Sequence, residues 1–299
     1  MPELPEVETV CRGLRQRALG RWITGVEILH SGVVLGATED FTRWICGRKV
    51  SRVKRKGKVL AVELESPNGQ STHFLMMRLG MTGQITVRRR SERLEAHTHV
   101  RLLLDDGEEE IRFRDARRFG RLRVSTREEL DAILAALGPD AQEMRGTEFL
   151  QAARGRRGAV KSWLLNQRVV SGLGNIYADE SLYAARIHPL AQPGRLSRRT
   201  LQRLYLTVKK VLKRAIELQG TSFRDYVDIE GHAGRYRRWL NVYGRTGKPC
   251  RRCQGLIRRI IVSGRSSHYC PRCQKRPRYI TLEIHPEDSG PPSRTGMRV

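Results

Sequence analysis

Apolar positions along the chain follow three rhythms. Val7, Val10, Cys11 and Leu14 fall at i, i+3, i+4 and i+7, one face of a helix. Between residues 21 and 125 the pattern turns to short apolar or alternating runs. These are Val26-Glu27-Ile28-Leu29, residues 59–64, Gln84-Ile85-Thr86-Val87, residues 100–104 and Leu122-Arg123-Val124, and they predict strands. Pro67-Asn68-Gly69 and Asp105-Asp106-Gly107 are hairpin-turn signals between them. No long helix separates the strands, so an antiparallel sandwich or barrel is expected, with the opening helix packed on it. One short helix within 127–137 is stopped by Gly138-Pro139-Asp140, and residues 146–230 then read as helical. The clearest helix spans 197–218, with Leu201, Leu204, Val208, Val211, Leu212, Ala215 and Leu218 as its stripe, Ser197 as N-cap and Gly220 as stop. Others are expected around 159–167 and from Asn175 onward. Gly172-Leu173-Gly174-Asn175 is a tight turn into a helix N-terminus, either a phosphate cradle or a plain connector.

Charge changes the picture most. The 299 residues carry a formal net charge of +26, spread along the whole chain, with 39% hydrophobic and 29% charged residues. A globular protein with a basic face or groove for a polyanion follows, nucleic acid before membrane. No apolar run reaches the roughly 18 residues of a membrane span, and no apolar signal region is seen, so a cytoplasmic protein without membrane contact is expected. The absence of GxxxxGK[ST] and GxGxxG argues against a nucleotide cofactor.

Cys250-x2-Cys253-x16-Cys270-x2-Cys273 is the strongest spacing signal. Two such pairs can hold one closed, structural zinc ion; iron is the competing occupant. Eight cations around the knuckles point to a nucleic-acid backbone, with Arg265 at Gly264-Arg265-Ser266 a candidate phosphate clamp. Met81, between Gly80 and Gly83, and Phe119, in Arg117-Arg118-Phe119-Gly120, are ordinary core residues or, if exposed, wedges that enter a base stack. An arginine beside them can hydrogen-bond a base left without its partner. Lys58 is a phosphate or active-site lysine, or part of a solvated strand edge.

The first residues, Met1-Pro2-Glu3-Leu4-Pro5-Glu6-Val7-Glu8, run straight into the opening helix. Pro5 and the glutamates suit its first turn. Removal of Met1 would leave Pro2 a secondary amine. An α-amino group starts near pKa ~8 rather than lysine's ~10.4, so it is partly neutral near pH 7. With Glu3 beside it, the pair suits attack on a sugar C1′ and Schiff-base formation. The same residues also suit a stiff leader that only docks the helix.

Six segments in order carry a resemblance: residues 2–9, 78–83, 115–120, 172–180, Val242-Tyr243-Gly244-Arg245 and the four-cysteine finger. Over about residues 2–280 the chain resembles the formamidopyrimidine-DNA glycosylase family. The resemblance implies an α+β fold: an N-terminal antiparallel β-sandwich with docked helices (1–138), a helix–two-turn–helix domain (139–240) and a zinc-finger β-hairpin (241–285); the stretch after His285, with Gly290-Pro291-Pro292-Ser293, reads as a flexible tail (286–299). It implies Pro2 as nucleophile and Glu3 as acid/base, with Glu6 holding the terminus. Lys58, Asn175 and Arg265 match phosphate-gripping positions. Met81, Arg117 and Phe119 match residues that fill the gap left by a flipped base, with Arg118 among the DNA contacts. Lys161 matches a lysine tied to lesion binding, and residues 220–238 match a mobile region over the flipped base. The implied partner is damaged duplex DNA, bound by a monomer, and the implied activity is excision of oxidised purines with strand cleavage. The endonuclease VIII type, which prefers oxidised pyrimidines, usually opens Pro-Glu-Gly-Pro-Glu, where this chain has Leu4. Arg78 and Asn166 stand where the family usually has histidine and aspartate, and the turn at 66–72 looks longer than usual.

Overall fold

The computed structural model describes residues 2–280. The expectation of a flexible tail at 286–299 lies outside the described residues. The opening helix, α1 (Leu4–Arg17), starts at Glu3, whose backbone N–H donates to Glu6 Oε2 at 2.8 Å. That closes the first turn as a capping glutamate should. Pro5 lies in that turn, where a missing N–H leaves no bond unmade.

Nine strands follow: β1 (Trp22–Ile28), β2 (Val34–Leu35), β3 (Arg48–Lys56), β4 (Val59–Glu65), β5 (Ser71–Arg78), β6 (Gln84–Arg89), β7 (Thr98–Leu104), β8 (Glu109–Arg114) and β9 (Arg121–Thr126). They form one continuous sheet in the order β2-β9-β5-β4-β3-β1-β7-β8-β6. Every neighbouring pair is antiparallel except the two-residue β2–β9 contact. Leu60, Leu64 and Leu75 from one half and Ile85, Leu102 and Phe113 from the other share a single core. The sheet therefore bends round one apolar interior, giving the two facing layers of a sandwich. Short α2 (Thr38–Arg43) and α3 (Arg127–Ala135) flank it.

Helices α4 (Gly146–Ala153), α5 (Val160–Leu165), α6 (Asn175–Ala184) and α7 (Arg198–Glu217) build a second core around Phe149, Tyr177, Leu204 and Leu212. Ser197 caps α7 by accepting the Thr200 N–H. After α7 the chain is not helical: residues 221–235 fold back onto the sheet, where Val87 N–H donates to the Ile229 carbonyl at 2.9 Å and Tyr226 and Ile229 enter the first core. The expectation of helix throughout 146–230 fails here. The last element is a hairpin, β10 (Arg258–Val262) and β11 (Arg265–Tyr269). Its two turn residues, Ser263 and Gly264, have φ of 48° and 72°, the left-handed pair that matches strand twist.

One helix belongs to both cores. Val7, Val10, Cys11 and Leu14 of α1 pack into the sheet core, whereas Leu4 packs into the helical core. Each of these buried side chains contributes roughly 1.5–3 kcal/mol. Pro2 and Glu3 thus sit, buried, where the two halves meet.

Candidate active site at the buried N-terminus

Glu3 is fully buried. Its Oε1 accepts the Ile176 N–H at 2.9 Å and its Oε2 the Tyr177 N–H at 3.3 Å, both in the first turn of α6. The sequence left the turn at residues 172–175 open as a phosphate cradle; instead the α6 amides hold a side chain of the protein itself. The glycines make that approach possible. A Cβ on Gly174 would lie 2.3 Å from Glu3 Cδ, and one on Gly172 would lie 2.5 Å from Leu4 Cδ1. The Gly172 carbonyl accepts the Leu4 N–H at 3.0 Å. Burial raises the Glu3 carboxyl above its ordinary pKa, against the opposing pull of Lys58 and the two amides. The carboxyl beside Pro2 is thereby disposed to hold a proton.

Glu6 ties this corner to residue 221. Its Oε1 accepts the Thr221 N–H at 2.7 Å and the Tyr177 hydroxyl at 2.5 Å, while Oε2 accepts the Glu3 N–H. Burial, with the adjacent Glu3 charge adding to it, pushes Glu6 up to about 7. Thr221 and Tyr177, in mutual hydrogen bond at 2.9 Å, had no assigned role in the sequence.

Lys58 follows the β3–β4 turn at Gly57, whose φ is +58°. The Gly57 N–H donates to Asp140 Oδ2 at 2.7 Å, and Arg55, nearly buried, bridges Asp140 at 2.5 Å and Glu8 at 2.7 Å. So Asp140, expected only to stop a helix, fastens the lysine-bearing turn to the helical half. Burial lowers the Lys58 ammonium pKa, Glu3 opposes that shift and Arg265 reinforces it, so the three charges are neighbours. Arg265 is exposed at the hairpin turn. Asn175 is the first residue of α6, and its Oδ1 is a buried acceptor without a partner among the described residues.

Lys161 is placed behind the hairpin. It is completely buried, with Nζ 2.7 Å from Asp179 Oδ1 and donating to the Ser266 carbonyl at 2.6 Å. Asp179 Oδ2 accepts the His268 N–H at 2.8 Å and lies 3.1 Å from its Nδ1. Lys161 and Asp179 together pin β11 at the residues that follow Arg265. Asp179 and His268 carried no motif of their own that could have singled them out.

The wedge candidates are exposed. Met81 is 38% and Phe119 51% accessible, which removes the core reading. The Arg117 guanidinium stacks 4.6 Å from the Phe119 ring centroid. Arg118 has φ of 54° and reaches His30 Nε2 at 2.6 Å. Buried Asp115 builds this loop by accepting the Gly120 N–H at 2.6 Å, the Arg117 N–H at 3.2 Å and the Thr82 hydroxyl. Gly80 brings the two loops together: a Cβ there would lie 2.7 Å from Gly120 N. Of the departures, Arg78 is an exposed strand end, and Asn166 Oδ1 accepts the Arg168 N–H at 3.0 Å, a turn role that an aspartate would also fill.

The Sγ atoms of Cys250, Cys253, Cys270 and Cys273 all lie within 4.8 Å of one another. Tetrahedral zinc with Zn–S of ~2.3 Å requires S···S near ~3.8 Å, and the 250–273 pair is at 3.9 Å. Arg252 and Cys273 N–H groups donate to Cys250 and Cys270 Sγ, each at 3.4 Å. Four thiolates with backbone donors behind them fit one structural zinc ion.

Comparison with known proteins agrees with this geometry. Three family models match in sequence: the formamidopyrimidine-DNA glycosylase N-terminal domain over residues 1–122, that enzyme's H2TH domain over 136–227, and the zinc finger found in FPG and IleRS over 247–276. The chain is 40% identical to the formamidopyrimidine-DNA glycosylase of Herpetosiphon aurantiacus, and the match covers 92% of this chain and 100% of that one. It is 42% identical to that of Solibacter usitatus with the same coverage. Among solved structures, the Lactococcus lactis enzyme in complex with abasic-site DNA superposes with a TM-score of 0.84 at 31% identity, covering 92% of this chain and 100% of that one. A complex of the same enzyme with DNA containing an oxidised pyrimidine gives 0.83. With these matches along almost its whole length, the chain belongs to the formamidopyrimidine-DNA glycosylase family.

Proposed function

We propose that this DNA glycosylase excises oxidised purines from duplex DNA and then cuts the strand as an AP lyase. The observation that carries the reading is the buried Pro2–Glu3 corner, with its carboxyl held by the α6 amides and raised in pKa by burial. A damaged base is unreachable inside a duplex and is flipped out at a cost of a few kcal/mol. Met81, Arg117 and Phe119 occupy the gap, with Arg118 at the same loop. Lys58, Asn175 and Arg265 hold the flanking phosphates. Removal of Met1 frees the Pro2 nitrogen, which attacks C1′. The new C–N bond forms as the glycosidic bond breaks, and the base leaves with a proton; the C1′–O4′ bond then opens as a proton passes to O4′, and an iminium remains. Glu3 serves as the local acid and base. Loss of a C2′ proton then expels the 3′ phosphate, and a second elimination expels the 5′ phosphate. The zinc hairpin presents Arg265. The enzyme acts as a monomer in the cytoplasm.

Borohydride trapping tests the mechanism. A covalent adduct on lesion DNA, lost in Pro2→Ala and in protein with a retained N-terminal tag, is expected. No adduct from processed protein overturns the reading. Cleavage of thymine glycol DNA without cleavage of 8-oxoguanine opposite cytosine would replace purine by pyrimidine preference.

A further inference from the structure

We propose that the outer face of α7 is a second nucleic-acid contact surface, able to hold an undamaged duplex while the active site is occupied by another. The inner stripe of α7 (Leu201, Leu204, Val208, Leu212) is buried in the helical core. The opposite face carries Arg199, Lys210 and Lys213, all exposed, and the helix has no acid before Glu217. Among the described residues these three cations form no ion pair; Arg214 pairs with Glu217 at 3.1 Å.

The arrangement opposes helix stability in two ways. Arg198 and Arg199 stand in the first turn, at the positive end of the macrodipole. Lys210 and Arg214 repeat positive charge at i, i+4, as do Lys209 and Lys213. A bound polyanion relieves both. At the helix's far end the Arg214 guanidinium lies 4.7 Å from the ring centroid of Trp239, which is 46% exposed and follows exposed Arg238. An accessible aromatic ring among cations is what a nucleic-acid surface adds to plain charge. Arg199, Lys210 and Lys213 lie on the face of α7 turned away from the helical core that takes in Leu4, next to Glu3.

The inference rests on the proposed DNA substrate, and the experiment separates the two. Enzyme is first saturated with a short duplex carrying a tetrahydrofuran site. A fluorescent undamaged 30-base-pair duplex is then titrated in, and ternary complex is followed by sedimentation across a salt series. The parent chain is expected to bind the second duplex with a dissociation constant of about 10⁻⁴–10⁻⁶ M. Arg199→Gln/Lys210→Gln/Lys213→Gln should weaken it and flatten the log K against log salt slope by up to about 2.7, three phosphates at ~0.9 each. The Lys210→Arg/Lys213→Arg control should retain it. Single-turnover cleavage of a short lesion duplex should stay within about twofold, since the counter-ion effect is confined to the second site. Absence of a ternary complex, an unchanged slope in the triple variant, or a parallel loss of short-duplex cleavage overturns the proposal. So does retention on phosphatidylserine vesicles in place of the second duplex. If the parent fails to cut lesion DNA yet forms the ternary complex, the catalytic reading falls and this one stands.

Discussion

Replacing Lys161 by methionine removes one member of an ion pair whose side chains are both wholly buried. Asp179 then keeps its hydrogen bonds from His268 but loses the lysine ammonium that faces it. Breaking a buried pair from one side costs about 3–5 kcal/mol, a large share of the roughly 5–15 kcal/mol that holds a domain folded. At about 2–4 °C per kcal/mol, the melting midpoint of zinc-loaded protein should fall by roughly 6–20 °C in a thermal-shift assay. A second effect follows from the lost Lys161–Ser266 bond, because Ser266 adjoins Arg265. With the hairpin unfastened, single-turnover cleavage of lesion DNA should drop by about 100-fold, the scale of a 1 Å misplacement. The double variant Lys161→Met/Asp179→Leu removes both charges and should regain most of the stability. It should not regain activity, because His268 has lost its acceptor. A midpoint within 2 °C of the parent in the single variant, or a double variant no more stable than the single, would refute the isolation of the pair. Parental cleavage by Lys161→Met would refute its positioning role.

Four further outcomes are expected. Gly174→Ala drives a methyl into Glu3 Cδ, so cleavage should fall by at least about 100-fold while circular dichroism stays native; parental activity would show that the approach is not tight. Phe119→Ala, at an exposed site, should change unfolding free energy by no more than about 0.5 kcal/mol yet weaken binding to lesion duplex, and unchanged binding in a filter assay would remove its wedge role. Glu6, raised from 4.5 to about 7, binds its proton more tightly folded than unfolded. It therefore adds stability that is full below about pH 4.5 and is lost as pH rises through about 7; urea unfolding from pH 5 to 8 should show a decline that Glu6→Gln flattens, and equal slopes would contradict it. Metal analysis should find one zinc per chain, absent in Cys270→Ser, and iron in its place would reassign the cluster.

What the sequence made legible was whatever a local pattern carries. The α1 and α7 stripes, the turn signals and the cysteine spacing each depend on neighbours within a few residues, and the structure has them in place. Strand β3 escaped notice because Arg48–Lys56 is mostly cationic, with only Val50 and Val53 facing the core across a bulge. Strand β8 was hidden likewise by Glu110 and Arg112, which are buried as an ion pair at 2.6 Å. The site was legible where resemblance marked it and illegible where partners come from distant segments. Asp140, Asp179 and Thr221 act across separations of 83, 89 and 215 residues, which no periodicity can signal. Glu3 claimed the α6 amides for the same reason: the turn announced a receptor for negative charge, and only the fold shows whose.

The division of α1 between two cores also sets a clock on synthesis. The helix is made well before the helical core that Leu4 joins, which is completed by side chains as far along as Leu240. At about 5–20 residues per second, that delay lasts roughly 12–47 s. Through that interval the nascent terminus is still open to an aminopeptidase; once the helical core closes, Pro2 is buried. In the proposed mechanism the nucleophile must therefore be unmasked before the second half of the protein folds over it. In that mechanism, a chain that folds before Met1 is removed has no free amine at Pro2.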